Sequence, residues 1–342
     1  MCESNGPWRI TFDTNPDDCN LHCIMCEEHS PYRKKVATHD HRVMDIEVIR
    51  QTVAQMTPKG LREIIPSTMG EPLLYKHFDE IIEIAQEHGV LINLTTNGTW
   101  PGKGVEEWAR KLCPLCSDIK VSWNGAKAET QEAIMQGLSF SKRLKALKSF
   151  LKIRAEITDS GLNRCRMTLQ CTFMETNLEE LPDLVHLAAE LGMERVKGHH
   201  IWVHYPETSC LDLRRSADSR TRWNKTVELC EEAAEMHRLP NGKKILLENF
   251  VPLPENEEIS LPEQWKCPFL KQEAWVNHAG RFDPCCAPDP ERQKLGEFGF
   301  VASEGGLEAL WNSTAYLKLV REYREHPVCK KCNMRRPEEK AA

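Results

Sequence analysis

The strongest constraint on the fold is a regular alternation of short β-rich runs and longer amphipathic runs between residues 8 and 203. Alternating strands and helices are typical of a mainly parallel sheet with crossover helices. Six strands are fewer than the eight that close a barrel, so we predict an α/β fold with a partial (β/α)6 TIM-like barrel. In such folds the reactive groups lie on the loops that follow the strands. The predicted strands are residues 8–14, 61–67, 90–96, 118–123, 166–174 and 194–202.

The alternation stops near residue 240, and the rest of the sequence has short strand-like pieces, glycines and one helical stretch. We therefore predict a barrel domain over residues 1–240 and a small second domain over residues 241–342. The second segment is too short to build much hydrophobic core, so we expect a bound metal group to stabilise it.

Composition excludes several classes of function for this chain of 342 residues and net charge −6. It has no apolar run of about 20 residues, so we expect no membrane span. It also has no dense Lys/Arg tract that would favour a nucleic-acid partner. The first residues lack the charged-then-apolar pattern of a secretory signal, so we expect a cytoplasmic protein. In that compartment its 15 cysteines favour metal ligation or catalysis over disulfides.

Three cysteines follow the first predicted strand: Cys19, Cys23 and Cys26, with three and then two residues between them. Such a loop can place three thiolates on an iron–sulfur cluster and leave one iron open to a small molecule. A zinc site is the alternative interpretation. Closed zinc sites need four ligands, and neither His22 nor His29 has zinc-finger spacing, so we favour the cluster.

A second group of cysteines lies in the C-terminal segment. Cys267, Cys285, Cys329 and Cys332 offer four thiolates, two from a hairpin and two from a later Cys-x2-Cys pair. Their spacing alone fits structural zinc and a 4Fe-4S cluster about equally well.

The N-terminal pattern resembles the radical SAM superfamily, whose members cleave S-adenosylmethionine (SAM) at a 4Fe-4S cluster held by Cys-x3-Cys-x2-Cys. Three later segments, at the ends of successive predicted strands, are similar to segments that contact SAM in this family. They are Met69-Gly70-Glu71-Pro72, Thr95-Thr96-Asn97-Gly98 and Ser122-Trp123-Asn124-Gly125. The resemblance implies that the first of them receives the methionine amino group. It implies SAM contacts from Gly70, Glu71, Pro72, Thr95, Asn97 and Ser122.

Two positions depart from the family pattern. The residue before the third cysteine, which is often aromatic and contacts adenine, is Met25 here. Gln136 stands where many relatives have an arginine. The resemblance therefore leaves open which group binds the SAM carboxylate.

The C-terminal pattern, Cys-x12-Gly-x4-Cys followed by Cys-x2-Cys, is similar to the SPASM/Twitch extension of radical SAM enzymes. This resemblance favours iron–sulfur over zinc and implies one Twitch-like auxiliary 4Fe-4S cluster. Its ligands would be Cys267, Cys285, Cys329 and Cys332, because the further cysteines of the longer SPASM pattern are missing. Cys286 is an alternative to Cys285, although the Gly-x4-Cys spacing favours Cys285. A fully ligated cluster is expected to exchange electrons with a substrate radical, and a purely structural role is the alternative.

The resemblance implies that SAM is cleaved reductively to a 5′-deoxyadenosyl radical, which abstracts hydrogen from an unactivated C–H bond. A reductant such as flavodoxin or ferredoxin would supply the electron. The single auxiliary cluster and modest length are similar to the butirosin-pathway aminocyclitol dehydrogenase and neomycin C epimerase. We therefore expect dehydrogenation or epimerisation of a small polar metabolite.

The alternative is a maturase that modifies a ribosomally synthesised peptide. Such maturases often carry an N-terminal peptide-binding domain, and only 18 residues precede Cys19, so a separate protein would have to supply one. A third class, a non-catalytic iron–sulfur electron carrier, would leave the SAM-contacting segments without a purpose.

Two cysteines outside these groups, Cys171 and Cys210, are candidate hydrogen donors to a substrate radical. Cys171 lies in the fifth predicted strand, and the alternation there does not decide whether it faces the barrel interior. The sixth strand ends in a His-rich run in which Lys197 and His199 share one face and His200 lies on the other. One of these faces can line the substrate cavity, and a solvated edge is the alternative.

Overall fold

The computed structural model describes residues 6–34, 40–66, 69–159, 161, 165–239, 242–254, 265–332 and 334–335. Its strands are β1 (Arg9–Phe12), β2 (His22–Cys23), β3 (Glu63–Ile65), β4 (Leu91–Thr96), β5 (Cys116–Ser122), β6 (Met135–Gln136), β7 (Arg166–Phe173), β8 (Arg195–His200), β9 (Leu246–Glu248), β10 (Glu273–Val276) and β11 (Phe282–Asp283). Its helices are α1 (Ile46–Met56), α2 (Phe78–His88), α3 (Gly104–Leu112), α4 (Ala128–Ile134), α5 (Phe140–Asp159), α6 (Leu181–Glu190), α7 (Ala217–Met236), α8 (Asp289–Lys294), α9 (Gly306–Trp311), α10 (Thr314–Glu322) and α11 (Pro327–Lys330).

The main sheet has nine strands in the order β11-β10-β1-β3-β4-β5-β7-β8-β9. The six predicted strands correspond to β1, β3, β4, β5, β7 and β8, and all of them run parallel. The predicted α/β class and the partial TIM-like barrel are therefore confirmed. Strand β9 pairs in parallel with β8, β10 pairs in parallel with β1, and β11 is antiparallel to β10.

The C-terminal segment contributes to this sheet. Strand β10 pairs with β1 from Arg9↔Glu273 to Phe12↔Val276. Both β9 and β10 lie beyond residue 240, where we placed the domain boundary. The two-domain division stays a prediction, and the sheet itself continues across it.

Apolar and polar side chains alternate along the barrel strands. In β7, Met167, Leu169 and Phe173 are buried in the main hydrophobic core. Successive strand residues point to opposite faces, so Thr168 and Gln170 lie on the other face, toward the barrel interior. The outer face is thus the apolar one that the helices cover.

Helix α2 shows how the covering layer forms. Ile81, Ile84 and Ala85 recur on one face and are buried, as their spacing predicted. Asp79 and Glu80 lie in the first turn, where negative charge is favoured by the helix dipole. Gly89 ends the helix with a φ of 64°, a conformation that glycine adopts without a Cβ clash. Among the described helices, none has both the length and the apolarity that a bilayer crossing requires.

Buried ion pairs form a belt on the inner face of the sheet. Arg9 on β1 donates to Glu63 on β3 at 2.5 Å and to Glu273 on β10 at 2.9 Å. Asp118 on β5 pairs with Arg195 on β8. A buried charge without a partner is costly, so these pairs favour the one register in which they meet.

The C-terminal helices pack on an aromatic cluster at the side of the barrel. Trp311 and Tyr316 are fully buried, and their rings lie 5.0 Å apart between centroids. Tyr316 also contacts Phe282 of β11, at 5.2 Å between centroids. On the barrel side, the amide of Gln55 donates to the carbonyl oxygen of Gly305 at 2.9 Å. These contacts hold the C-terminal segment against helix α1.

Candidate active site and auxiliary metal centre

The loop that carries Cys19, Cys23 and Cys26 follows β1 and is held by hydrogen bonds on both sides. Strand β2 within it pairs antiparallel with β6, with Cys23 opposite Met135. The Ile24 N–H donates to the carbonyl oxygen of Ile134 at 3.0 Å. The loop is therefore attached to the segment that follows the fourth barrel strand.

Charged side chains also hold this loop in place. The Arg42 guanidinium donates to Asp17 Oδ1 at 2.9 Å and lies 2.5 Å from Glu28 Oε2. Asp17 precedes the first cysteine and Glu28 follows the third, so one arginine ties both ends of the cysteine segment together. Burial and these two acceptors act in opposite directions on the Arg42 pKa, which is raised overall.

The three thiols lie close enough to affect one another's pKa values. Burial raises the pKa of Cys19 to about 11, with a smaller contribution from Cys26 nearby, and burial also raises the pKa values of Cys23 and Cys26. The His29 N–H donates to Cys26 Sγ at 3.3 Å, and the Asn97 amide lies 3.9 Å from Cys19 Sγ. Burial therefore disfavours the thiolate forms of these three side chains, which are the forms that would bind iron.

Gly70 lies directly against the cysteine loop. Its φ is +74°, and a Cβ atom there would be 2.3 Å from the carbonyl oxygen of Asn15 and 2.7 Å from that of Asp18. The N–H of Glu71 donates to the same Asp18 oxygen at 2.7 Å. Pro72, which is buried, begins a short 3-10 turn after this contact. Only glycine allows this approach of the two backbones.

The Glu71 side chain points into the protein. It connects the loop that follows the second predicted strand with the end of the third. Its carboxylate accepts hydrogen bonds from the Thr96 hydroxyl and the Asn97 N–H, each at 2.7 Å. Burial raises the pKa of Glu71 to about 7, although these hydrogen bonds oppose the shift. The Asn97 amide in turn donates to Asn20 at 2.8 Å. Thr95 lies on the inner face, two residues after the inward Asn93.

Arg143, in the first turn of α5, was not singled out by our sequence interpretation. Its guanidinium is buried over the Trp123 ring, 4.5 Å from the centroid, and donates to the Ser122 carbonyl oxygen. Burial lowers its pKa to about 9, while nearby Cys23 and Glu71 favour its charged form. Its Nε has no hydrogen-bond partner among the described residues. A buried cation beside the cysteine loop with a spare donor fits an anionic ligand group.

Met25, in the cysteine loop, packs against a small hydrophobic cluster. The buried members of this cluster include Ile24, Met135 and Ile201, and Cys19 and Cys23 pack against it. Met25 thus packs against the same cluster as two of the predicted ligands, and its contact with adenine stays a prediction.

Cys171 is not in the position that a hydrogen donor would need. It is on the apolar face of β7 and fully buried in the main core, where Cys230 of α7 is its neighbour. Its burial in the core disfavours the hydrogen-donor role for Cys171, which stays an untested hypothesis. Cys210 lies in the short 3-10 segment Pro206–Leu211 and is exposed, so its role stays a hypothesis.

The His-rich strand end divides between the two faces. Lys197 faces the interior and pairs with Glu248 at 2.8 Å. His199, two residues later on the same face, is partly buried, and desolvation lowers its pKa to about 4, so it is neutral at pH 7. His200 packs instead with Phe173 and Trp223 under α7, at 5.5 and 4.7 Å between ring centroids. The Lys197 face is the one that faces the barrel cavity.

Five cysteines line one largely apolar cavity in the C-terminal segment. Burial raises the pKa values of Cys285 and Cys329 to about 12. In the part of the chain that the structure describes, no three His, Cys, Asp or Glu side chains are grouped to hold a single metal ion. Four thiolates suffice for a closed 4Fe-4S cluster, so the donor set around the cavity fits that group. The cysteines are Cys267, Cys285, Cys286, Cys329 and Cys332.

The model of the radical SAM superfamily matches residues 16–188, which include the cysteine loop, Gly70–Glu71 and Arg143. The chain belongs to the radical SAM superfamily. A second model, described as an iron–sulfur cluster-binding domain and named SPASM, matches residues 267–333. The predictions of a SAM-binding 4Fe-4S cluster, of SAM itself and of auxiliary iron–sulfur binding are therefore confirmed for this radical SAM enzyme.

Three known proteins illustrate the relationship. The mycofactocin maturase MftC of Mycobacterium ulcerans is 23% identical over 331 residues, which cover 95% of this chain and 79% of that protein. The structure of Streptococcus suis SuiB bound to the precursor peptide SuiA superposes with a TM-score of 0.63 at 14% identity, over 92% of this chain and 67% of SuiB. The structure of anSMEcpe with bound AdoMet and the Kp18Cys peptide gives a TM-score of 0.63 at 16% identity, over 96% of this chain and 86% of that one. At these identities the two structures establish the shared fold.

Proposed function

We propose that this radical SAM enzyme is a maturase that modifies a peptide. The observation that supports this most is the similarity to MftC, a maturase, over 95% of this chain. Two proteins of the same fold, SuiB and anSMEcpe, have been solved with peptides bound. The small polar metabolite, which we expected first from the sequence, has less support than the peptide alternative.

The shape of the barrel is compatible with an extended substrate. Strands β9 and β11 are the two ends of the described sheet and do not pair with each other, so the barrel is open along one side. The inner face there carries Lys197 and His199, which can hydrogen-bond to peptide groups. A peptide chain has many such groups along its length, so an open side can accommodate it.

We assign the cluster that cleaves SAM to Cys19, Cys23 and Cys26. When bound, this cluster and SAM supply a carbon-centred radical that abstracts hydrogen from the substrate. Arg143 binds the SAM carboxylate, because its buried Nε has no other partner among the residues that the structure describes and its position fits an anion beside the cysteine loop. Arg143 thus takes the role that the departure at Gln136 left open.

The remaining SAM-site residues have positioning roles in this proposal. Gly70 lets the backbone that follows it approach the cysteine loop, and the Glu71 carboxylate fixes the end of β4 through Thr96 and Asn97. Met25 offers an apolar surface to adenine in place of an aromatic ring. Because the donors are held before SAM binds, little ordering cost is left for the binding step.

The proposal can be tested with the reconstituted enzyme, SAM and dithionite. One set of reactions contains synthetic peptides for any short reading frames found beside this gene, and a parallel set contains carbinol-bearing aminocyclitols. We expect peptide-dependent formation of 5′-deoxyadenosine and a change in the intact mass of one peptide. The Cys19/Cys23/Cys26→Ala variant is the control and should do neither. Turnover of an aminocyclitol with no change in any peptide would overturn the maturase proposal.

A further inference from the structure

Cys285 and Cys286 are adjacent in sequence, yet both line the auxiliary cavity. In a strand, successive side chains point to opposite faces, so two neighbours do not normally reach one site. Here β11 ends at Asp283 and the chain bends over residues 284–287, so that both residues lie in the cavity wall. A closed 4Fe-4S cluster has four irons for Cys ligands, and this cavity has five thiols.

The two thiols have different surroundings. Cys285 is near Cys267 and Cys332, and the guanidinium of Arg292 lies on its side. Cys286 is near the same two cysteines, but its charged neighbour is the carboxylate of Glu273 on the inner face of β10. Both thiols therefore lie beside the other cluster ligands, one next to a cation and one next to an anion. Each charged neighbour also has an ion-pair partner: Arg292 pairs with Asp289 at 3.2 Å, and Glu273 accepts from Arg9 at 2.9 Å.

We propose that Cys285 and Cys286 compete for the same iron of the auxiliary cluster, with Cys267, Cys329 and Cys332 as constant ligands. In the exchange, the Fe–S bond to one thiolate breaks as the bond to the other forms, and the proton of the incoming thiol passes to the outgoing thiolate. No electron is gained or lost. The site thus has two ligand sets that differ in their charged neighbour, and this proposal does not depend on the substrate being a peptide.

The charged neighbours give the two forms different reduction potentials. A nearby cation stabilises the more negative, reduced cluster and raises its potential, whereas a nearby carboxylate lowers it. Arg292 favours a higher potential for the Cys285-ligated form, and Glu273 favours a lower potential for the Cys286-ligated form. Ligand exchange would in this way adjust how readily the auxiliary cluster accepts an electron.

The test uses the Cys19/Cys23/Cys26→Ala background, in which only the auxiliary site can hold a cluster. In that background we compare Cys285→Ser, Cys286→Ser and the double variant by iron content, redox titration and EPR of the reduced cluster. Each single variant should keep about four irons per chain and the double variant should lose them. Cys286→Ser, held through Cys285, should have the higher midpoint potential. Cys210→Ser is the matched control at an exposed thiol, and Cys329→Ser, with no adjacent cysteine, should lose the cluster.

The unsubstituted pair provides a second measurement that does not depend on how the variants fold. The background protein with both thiols should give an EPR spectrum that is the sum of two species, each matching one single variant. A spectrum with one species would overturn the proposal, because only one thiol would then be a ligand. Loss of iron in one single variant with full retention in the other would overturn it in the same way.

Discussion

A Cβ atom on Gly70 would lie 2.3 Å from the carbonyl oxygen of Asn15, so the Gly-Glu segment and the cysteine loop meet backbone to backbone. Contacts this short do not occur for real Cβ atoms, and both partners are backbone. Neither can rotate away as a flexible side chain would. The cysteine loop and the second strand end are therefore one structural unit.

Gly70→Ala should push the cysteine loop away from the Gly-Glu segment. We expect loss of about four irons per chain from the SAM-cleaving site, because the loop must move to admit the methyl group. The control is Gly89→Ala, which has a similar φ of +64° and no atom within 4 Å of the added Cβ. It should cost about 1 kcal/mol of unfolding free energy and leave the iron content unchanged. Equal iron in both variants would contradict the contact.

Arg143→Gln should weaken SAM binding. The neutral amide provides no charge for the SAM carboxylate, and the shorter side chain does not reach as far as the terminal nitrogen of Arg143 that donates to the Ser122 carbonyl oxygen. We expect the Kd for SAM to rise at least about tenfold, about 1.4 kcal/mol, with unchanged iron content. Equilibrium dialysis with labelled SAM measures this, and exposed Lys142→Gln is the neighbouring control. A lowered thermal stability with an unchanged Kd would show that Arg143 is only structural.

Asp118→Asn should destabilise the barrel strongly. Asp118 is 0% exposed, accepts a 2.8 Å hydrogen bond from the Thr168 hydroxyl and pairs with buried Arg195. Removing its charge leaves Arg195 with Glu248, at 2.6 Å, as its remaining carboxylate partner, so we expect a cost of about 1.5–3 kcal/mol. Anaerobic urea unfolding provides the measurement.

The comparison for Asp118 is an exposed ion pair. Asp79 accepts from Lys103 and Lys111 at 2.8 Å each, with 45% of its side chain exposed. Water screens such pairs, so Asp79→Asn should cost no more than about 1 kcal/mol. An equal loss of unfolding free energy in the two variants would mean that the ion pairs on the inner face of the sheet do not act as a buried network.

Lys120, on the inner face of β5, should make stability depend on pH. Burial lowers its pKa from 10.5 to about 8, with Asp118 opposing the shift. Between these values the unfolded chain binds more protons at this site than the folded chain, so the stability contribution of Lys120 rises with pH. The free energy of unfolding of the wild type relative to Lys120→Met should therefore increase from about pH 8 to about pH 10.5. Exposed Lys145→Met should show no such trend.

The sequence by itself determined the six parallel strands and the two cysteine groups. Strand and helix periods are local properties, and cysteine spacing within a loop limits which thiols can meet, so both can be recognised without tertiary contacts. The sequence also indicates that Cys171 is a core residue. Cys171 is an even number of residues from Met167, Leu169 and Phe173, so it lies on the same face of β7. The polar residues of this strand occupy the opposite face. The apolar set packs against helices in this barrel, so Cys171 belongs to the core.

Other features depended on the tertiary structure. Arg143 reaches the cysteine loop only because α5 begins beside the end of β5, and no spacing in the sequence encodes that approach. Strand β10 joins β1 across 264 residues of sequence, from Arg9 to Glu273, and such pairing is decided by which edges meet in the folded chain. The bend after β11 that turns Cys285 and Cys286 into one cavity is likewise decided by packing. Local patterns fix which elements form, whereas long-range packing fixes which side chains meet.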